Sequence, residues 1–347
     1  MKIDANMYWF DEDLFRDEQY SKEFLDCFPQ DKQISVKKVT HLDGRQQFVV
    51  EKPVGFANLN YFEGDYQLDK MLLDMDEAGI DQAVLKVPGC HEWMSLAICR
   101  RFNDGMFAYS QASRGRLRGL AVVPPYFTKE VEEELERCFQ ELGFTGVQLM
   151  AHYDQAYLDN GEFAPLFEYL NRKKATVYIH HNPIPVDYQS LLDHDNVRRS
   201  YGRNVDQATA VCREIFSGFI AKYPQVRLIH SMLGGGFFAL KNLIFPQVDP
   251  SDPRFKQVDG QLEGRFSQNI FFEMSHAQPW GKAQLECAVT VLGADHILFG
   301  SSYPVKKVWQ SKGVEFIEDL NISEQEKALI LGENARRLYK LDQSRRE

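Results

Sequence analysis

The stretch Thr176-Val177-Tyr178-Ile179-His180 is apolar and β-rich almost throughout and ends on a histidine. A strand with one wet face alternates apolar and polar residues. A run without that alternation belongs to a strand covered on both faces. Seven further runs of similar character lie at residues 2–5, 82–87, 117–123, 146–151, 226–231, 269–274 and 296–300. Helical patterns separate them. Met71, Leu72, Met75 and Ala78 form one apolar stripe, and Val131, Leu135, Phe139 and Leu142 another, opposite a face of five glutamates between 130 and 136. Ser323-x-x-Glu326 is a capping box whose helix should run to about Tyr339, and Pro165 suits a helix's first turn. Eight strands alternating with helices predict a parallel (β/α)8 TIM barrel, of class α/β.

One segment departs from this rhythm. Residues 10–64 follow the first strand but hold a helical stretch and two strands, 35–40 and 46–51, joined around Asp43-Gly44. An insertion there leaves from the C-terminal end of the first strand, the catalytic rim of such barrels, and is expected to cap the mouth. With no linker or repeat in view, residues 1–347 are expected to form a single domain that includes this insertion.

The chain carries 40 Lys and Arg against 50 Asp and Glu, a net charge of −10. Nucleic acid and anionic membrane surfaces need a basic field, so neither is expected as a partner. No apolar run approaches a membrane span, and Met1-Lys2-Ile3-Asp4 enters a strand without a leader pattern. The six cysteines form no Cys-x-x-Cys pair and read as reduced thiols of a cytoplasmic protein.

The first strand reads Asp4-Ala5-Asn6-Met7-Tyr8 and the last Phe299-Gly300-Ser301-Ser302-Tyr303-Pro304. Together with Glu141-Leu142-Gly143-Phe144, Gly146-Val147-Gln148, Tyr223-Pro224, Gly234-Gly235 and Asn334-Ala335-Arg336-Arg337-Leu338, they resemble the amidohydrolase-related family that includes aminocarboxymuconate-semialdehyde decarboxylase. The resemblance implies a TIM barrel with one divalent metal at its mouth. The ligands would be two histidines of an Asp-x-His-x-His opening, a histidine after strand five and an aspartate after strand eight. In this chain Asn6 and Tyr8 replace the first two, Ser302 replaces the aspartate, and Met232 stands for the family's strand-six acid/base histidine. Only His180 survives. Asn and Ser are weak ligands, and a thioether is too soft for zinc or manganese.

His180, Tyr8 and Ser302 are therefore the candidate catalytic residues. Asn6, His152, His276, Met232 and His181 are the candidate substrate contacts. His180 would be a metal ligand only if an ion is bound. Adjacent His180 and His181 are expected to face opposite sides of one strand. Asp4 reads as structural, Gly234-Gly235-Gly236 as close packing, and Cys90-His91 as coincidence. No cofactor is expected, zinc or manganese being the alternative that the resemblance implies. The expected activity is hydrolysis or decarboxylation of a small organic acid, lactone or amide, with a small carboxylate as partner and a homodimer as the family habit. The alternative is an inactive barrel that binds a ligand or protein.

Overall fold

The structure is a computed structural model that describes residues 1–29, 34–52, 54–187, 189–191, 197–245 and 262–341. Eight parallel strand positions form the barrel: β1 (Ile3–Tyr8), β5 (Gln82–Lys86), the pair β6 (Leu117–Gly119) and β7 (Ala121–Val122), β8 (Val147–Met150), β11 (Thr176–His180), β12 (Arg227–His230), β13 (Ile270–Glu273) and β14 (Ile297–Leu298). The ladders run β1-β5-β6 and β7-β8-β11-β12-β13-β14. Leu120 interrupts one strand between β6 and β7. At the remaining seam Ala5 N–H donates to Phe299 O at 2.9 Å and Ser302 N–H to Asn6 O at 2.8 Å, which joins the last strand to the first. Ile3, Ala5, Val84, Leu120, Tyr178, Ile229, Phe271 and Leu298 fill the interior, and Ala335, Leu338, Tyr339 and Leu341 of the C-terminal segment pack onto them. Thr176 Oγ1 donates to Leu338 O, so this plug closes the N-terminal end of the strands. The chemistry is left to the other end.

Side-chain caps start the helices where the sequence places them. Ser95 accepts from Ile98 N ahead of α3 (Leu96–Ala112), and Thr128 accepts from Val131 N ahead of α4 (Lys129–Gln140). α5 (Ala164–Lys173) has its proline in the first turn, and both halves of the Ser323–Glu326 capping box form. α1 (Glu18–Leu25), α2 (Leu68–Glu77) and α6 (Arg203–Phe216) complete the helices that bear on the site.

The insertion holds α1 and a three-stranded antiparallel sheet, β2 (Ser35–Thr40), β3 (Gln46–Glu51) and β4 (Ala57–Phe62). The hairpin was expected and the third strand was not. Its core is aromatic: Phe10 stacks on Tyr61 at 4.4 Å, and Phe24, Phe48 and Phe102 pack around them. Tyr61 donates to Pro88 O at 2.6 Å, which ties the insertion to the end of β5. A short hairpin, β9 (His152–Tyr153) with β10 (Ala156–Tyr157), follows β8 on the same rim. Among the described residues no helix is long and apolar enough to cross a membrane.

Candidate active site

Strand ends aim the polar side chains inward at the C-terminal mouth. His180, the last residue of β11, lies with its Nδ1 2.6 Å from the carbonyl of His181. A carbonyl only accepts, so Nδ1 carries the proton and Nε2 of the neutral ring is an acceptor. The Tyr8 hydroxyl meets that Nε2 at 3.0 Å. Burial pushes the His180 pKa down to about 3, with the charges of Lys86 and Arg203 adding to the effect. Burial also holds the Tyr8 phenol above its ordinary value, opposed by hydrogen bonds to Ser302 and Asn6 and by the Arg203 charge. Tyr8 thus stays a donor and His180 an acceptor.

Ser302 and Asn6 sit beside this pair. Ser302 Oγ donates to Ser275 O at 2.7 Å and accepts from Asn6 Nδ2 at 3.2 Å. Its proton is directed at a carbonyl rather than at His180, so the arrangement supplies no base to make Ser302 a nucleophile. Asn6 Nδ2 also donates to Glu273 Oε2 at 3.0 Å, the oxygen that takes the Tyr178 hydroxyl at 2.8 Å. Glu273 is fully buried and accepts from Ser275 N–H as well. Burial raises its pKa, and the Lys86 charge opposes the rise. Lys86, at the end of β5, is likewise fully buried; it donates to Ala5 O and lies 3.5 Å from the centre of the Tyr178 ring. Burial pulls it down to about 7 against the pull of Glu273 and Asp4.

Glu273 and Lys86 were not singled out in the sequence, nor was Arg203. The signal for the first two was present: Gln-Ala-Val-Leu-Lys and Ile-Phe-Phe-Glu each end an apolar run on a charge. Arg203 opens α6. Its Nε donates to Pro183 O, and its charge reaches Tyr8, His180 and His181.

The remaining candidates flank this cluster, and the His276 charge reaches His181. His152 is engaged on both sides, with Nδ1 2.8 Å from Asp154 O and Nε2 3.0 Å from Asp206 Oδ2. Burial lowers its pKa, but Asp206, Glu92 and the Asp154 carbonyl together outweigh burial and the net shift is upward. Nε2 faces the Asp206 carboxylate without hydrogen-bond geometry. His276 stacks on Trp309 at 4.3 Å, has an unpartnered buried Nδ1, and is pushed down to about 4 chiefly by burial. Met232 is buried with φ +53°, its N–H held by Ser275 Oγ at 3.0 Å.

His181 corrects the sequence reading. Its ring stacks on His180 at 4.3 Å instead of facing away, because β11 ends at His180 and strand alternation stops there. Its Nδ1 lies 3.3 Å from Ser231 Oγ.

The structural readings of the remaining motifs hold. Asp4 accepts from Asn6 N, Ser301 N and Ser301 Oγ, which knits β1 to the last strand. A Cβ on Gly235 would stand 1.8 Å from Asn204 O, so that run packs against α6. Burial pushes the Cys90 thiol up to about 12, which leaves it inert.

The insertion reaches this mouth. A Cβ on Gly89 would meet His180 at 3.4 Å, Leu59 of β4 at 3.6 Å and Pro183 at 3.8 Å. An open groove of about 1090 Å³ lies at the opposite end of the barrel, where Arg114, Lys173 and Lys174 sit at the carbonyl ends of α3 and α5. Cations there offset helix dipoles, and the groove plays no part in the mouth.

Comparison with known proteins agrees with this architecture. The gamma-resorcylate decarboxylase of Polaromonas sp. is 25% identical over 294 residues, spanning 79% of this chain and 87% of that protein. The 2-amino-3-carboxymuconate-6-semialdehyde decarboxylase of Dictyostelium discoideum is 24% identical, over 72% of this chain and 68% of its own. The crystal structure of 5-carboxyvanillate decarboxylase from Novosphingobium aromaticivorans superposes with a TM-score of 0.74 at 20% identity, over 98% and 96% of the two chains. That crystal holds manganese and 4-hydroxy-3-methoxy-5-nitrobenzoic acid. Manganese in such a neighbour keeps a divalent ion open, and the expectation of no cofactor draws no support from it.

The residues of this chain do not fit the ion. Of Asn6, Tyr8, His180 and Ser302, the Tyr8 hydroxyl is bonded to His180 and close enough to Ser302 and Asn6, themselves bonded to each other, for both to lower its pKa. Asn6 turns its N–H donors toward Glu273 and Ser302 and leaves Oδ1 as the one unpartnered acceptor. Among the described residues, no three His, Cys, Asp or Glu side chains are grouped to hold a metal. One imidazole beside a protonated phenol, an amide and a hydroxyl is a poor donor set for manganese or zinc. The scaffold itself is unambiguous: residues 62–341 match the amidohydrolase family model, and the chain belongs to that family.

Proposed function

We propose that this protein is a carboxy-lyase acting on a small hydroxylated aromatic acid, with Tyr8 and His180 as its catalytic pair. The observation that carries the reading is the buried Tyr8–His180 hydrogen bond at the barrel mouth, within the field of Arg203. Decarboxylases among the relatives favour this reading over hydrolysis of a lactone or amide, as does the lack of a base beside Ser302.

The substrate carboxylate would face Arg203, whose charge reaches both members of the pair. Loss of CO2 leaves the C–C electron pair on the ring carbon, and a proton must take its place. The Tyr8 hydroxyl would deliver it by turning from His180 Nε2 to the ring carbon. The tyrosinate left behind would be favoured by the Arg203 charge, and the Ser302 hydroxyl would have to turn from Ser275 O to donate to it. His180 Nε2 orients the hydroxyl, and the proton returns to Tyr8 from solvent or from the substrate's own phenol. Asn6 and Ser302 are neutral and position without competing for the acid group. His276 and His181, kept neutral by burial, suit hydroxyl groups on the ring.

The test is product analysis by chromatography after incubation with a panel of hydroxybenzoates that includes 2,6-dihydroxybenzoate and 5-carboxyvanillate. Formation of the decarboxylated phenol by wild type and not by His180→Ala supports the reading. A second reading, a barrel that binds such acids without turnover, is favoured by the Tyr8 hydroxyl standing beside His180 in the former ligand set. Binding of the panel with no product in any case would establish it.

A further inference from the structure

We infer that Tyr8 and Lys86 together take the place of the family's divalent ion, the phenol filling its volume and the ammonium supplying its charge. The volume half rests on the Tyr8 hydroxyl, bonded to His180 and close to Ser302 and Asn6. The charge half rests on what lies beneath. Glu273 and Asp4 are both fully buried inside the barrel, and buried carboxylates need a cation or a full set of donors. Lys86 is the cation among them. Its Nζ lies over the ring of Tyr178, whose hydroxyl holds the Glu273 oxygen that also holds Asn6. One carboxylate oxygen therefore links the ammonium to the former ligand position on β1. A protein that bound a divalent ion at the mouth would place two positive charges against this ammonium in a poorly screened interior.

The consequence separates this idea from simple loss of ligands. Restoring the ligands should not restore the ion while Lys86 remains. Manganese is the probe, read as metal per chain by elemental analysis and as affinity by calorimetry. Four proteins are compared: wild type, the triple variant Asn6→His/Tyr8→His/Ser302→Asp, and that triple variant with Lys86→Gln or with Lys86→Met. Gln keeps a donor for Ala5 O, and Met keeps the volume. Circular dichroism confirms that each is folded.

Wild type and the triple variant are expected to retain little manganese. Removing Lys86 from the triple variant should tighten binding by about tenfold or more, that is, by 1.4 kcal/mol or more. Two results overturn the inference. One is stoichiometric manganese in wild type that is lost in His180→Ala. The other is a triple variant that binds as tightly with Lys86 as without it. If neither Lys86 variant folds on the triple background, the wild-type and triple-variant measurements still decide, because tight binding by either one refutes the charge half. None of these readouts depends on turnover, so failure of the carboxy-lyase reading leaves this test intact.

Discussion

Gly300→Ala probes the buried floor of the mouth. A Cβ at Gly300 would stand 1.8 Å from Glu273 Oε1, 2.6 Å from its Cδ and 2.8 Å from Asn6 Cβ. None of these atoms has freedom to retreat. The Glu273 carboxylate is held by Asn6, Tyr178 and Ser275, and Asn6 lies in β1 under the seam of the barrel. Overpacking a tight core costs about 1–3 kcal/mol. Displacing a buried, hydrogen-bonded carboxylate adds about 1–3 kcal/mol for each donor left unmet. The substitution should therefore destabilise the protein by about 3 kcal/mol or more, read as a drop in the urea midpoint at unchanged slope. A Gly300→Ala protein within about 0.5 kcal/mol of wild type would show that Glu273 does not lie against the Gly300 backbone, and the floor described above would be wrong.

Other consequences are equally specific. Tyr8→Phe removes the donor to His180 Nε2 and leaves a buried acceptor unmet, so stability should fall by about 1–3 kcal/mol and any decarboxylation by about 10²-fold or more; a variant as active as wild type would remove Tyr8 from the chemistry. Arg203→Leu should weaken binding of an aromatic acid by about tenfold or more while leaving its decarboxylated phenol unaffected, as calorimetry with both would show. The pKa of His276 is lowered to about 4 in the fold, so its neutral form contributes stability that is complete above about pH 6.5 and lost as pH falls toward 4, at up to about 1.4 kcal/mol per pH unit. His276→Phe keeps the stack on Trp309 and should flatten that part of the stability profile; an unchanged profile would place the acid sensitivity elsewhere. The His152 pKa is raised by Asp206, so its ion pair is fully present below about pH 6.5 and fades as pH rises through the folded value. His152→Gln should erase that alkaline decline.

The barrel was legible because strands covered on both faces have no choice of residue: each run is apolar, and the spacing between runs fixes the helices. The third strand of the insertion, Ala57–Phe62, escaped because its alternation is short and carried by two asparagines, which are poor strand formers, and pairing with β3 secures it. Asn6, Tyr8, His180 and Ser302 were legible through the family resemblance, which assigns their positions to one rim. Lys86 and Glu273 were not. A charge in sequence reads as a solvated end, and only the pairing of two charges across the barrel lets both be buried. His152 shows the opposite limit. A rim histidine gives no sign in sequence of the carboxylate it faces, Asp206, 54 residues later.

The most direct test of the central claim is single-turnover release of CO2 from a hydroxylated aromatic acid, 2,6-dihydroxybenzoate first, by wild type and Tyr8→Phe at equal ligand occupancy. The account predicts release by wild type and loss of it in Tyr8→Phe with binding retained. Release at the same rate by both proteins, or bound acid that neither converts across the panel, would contradict it.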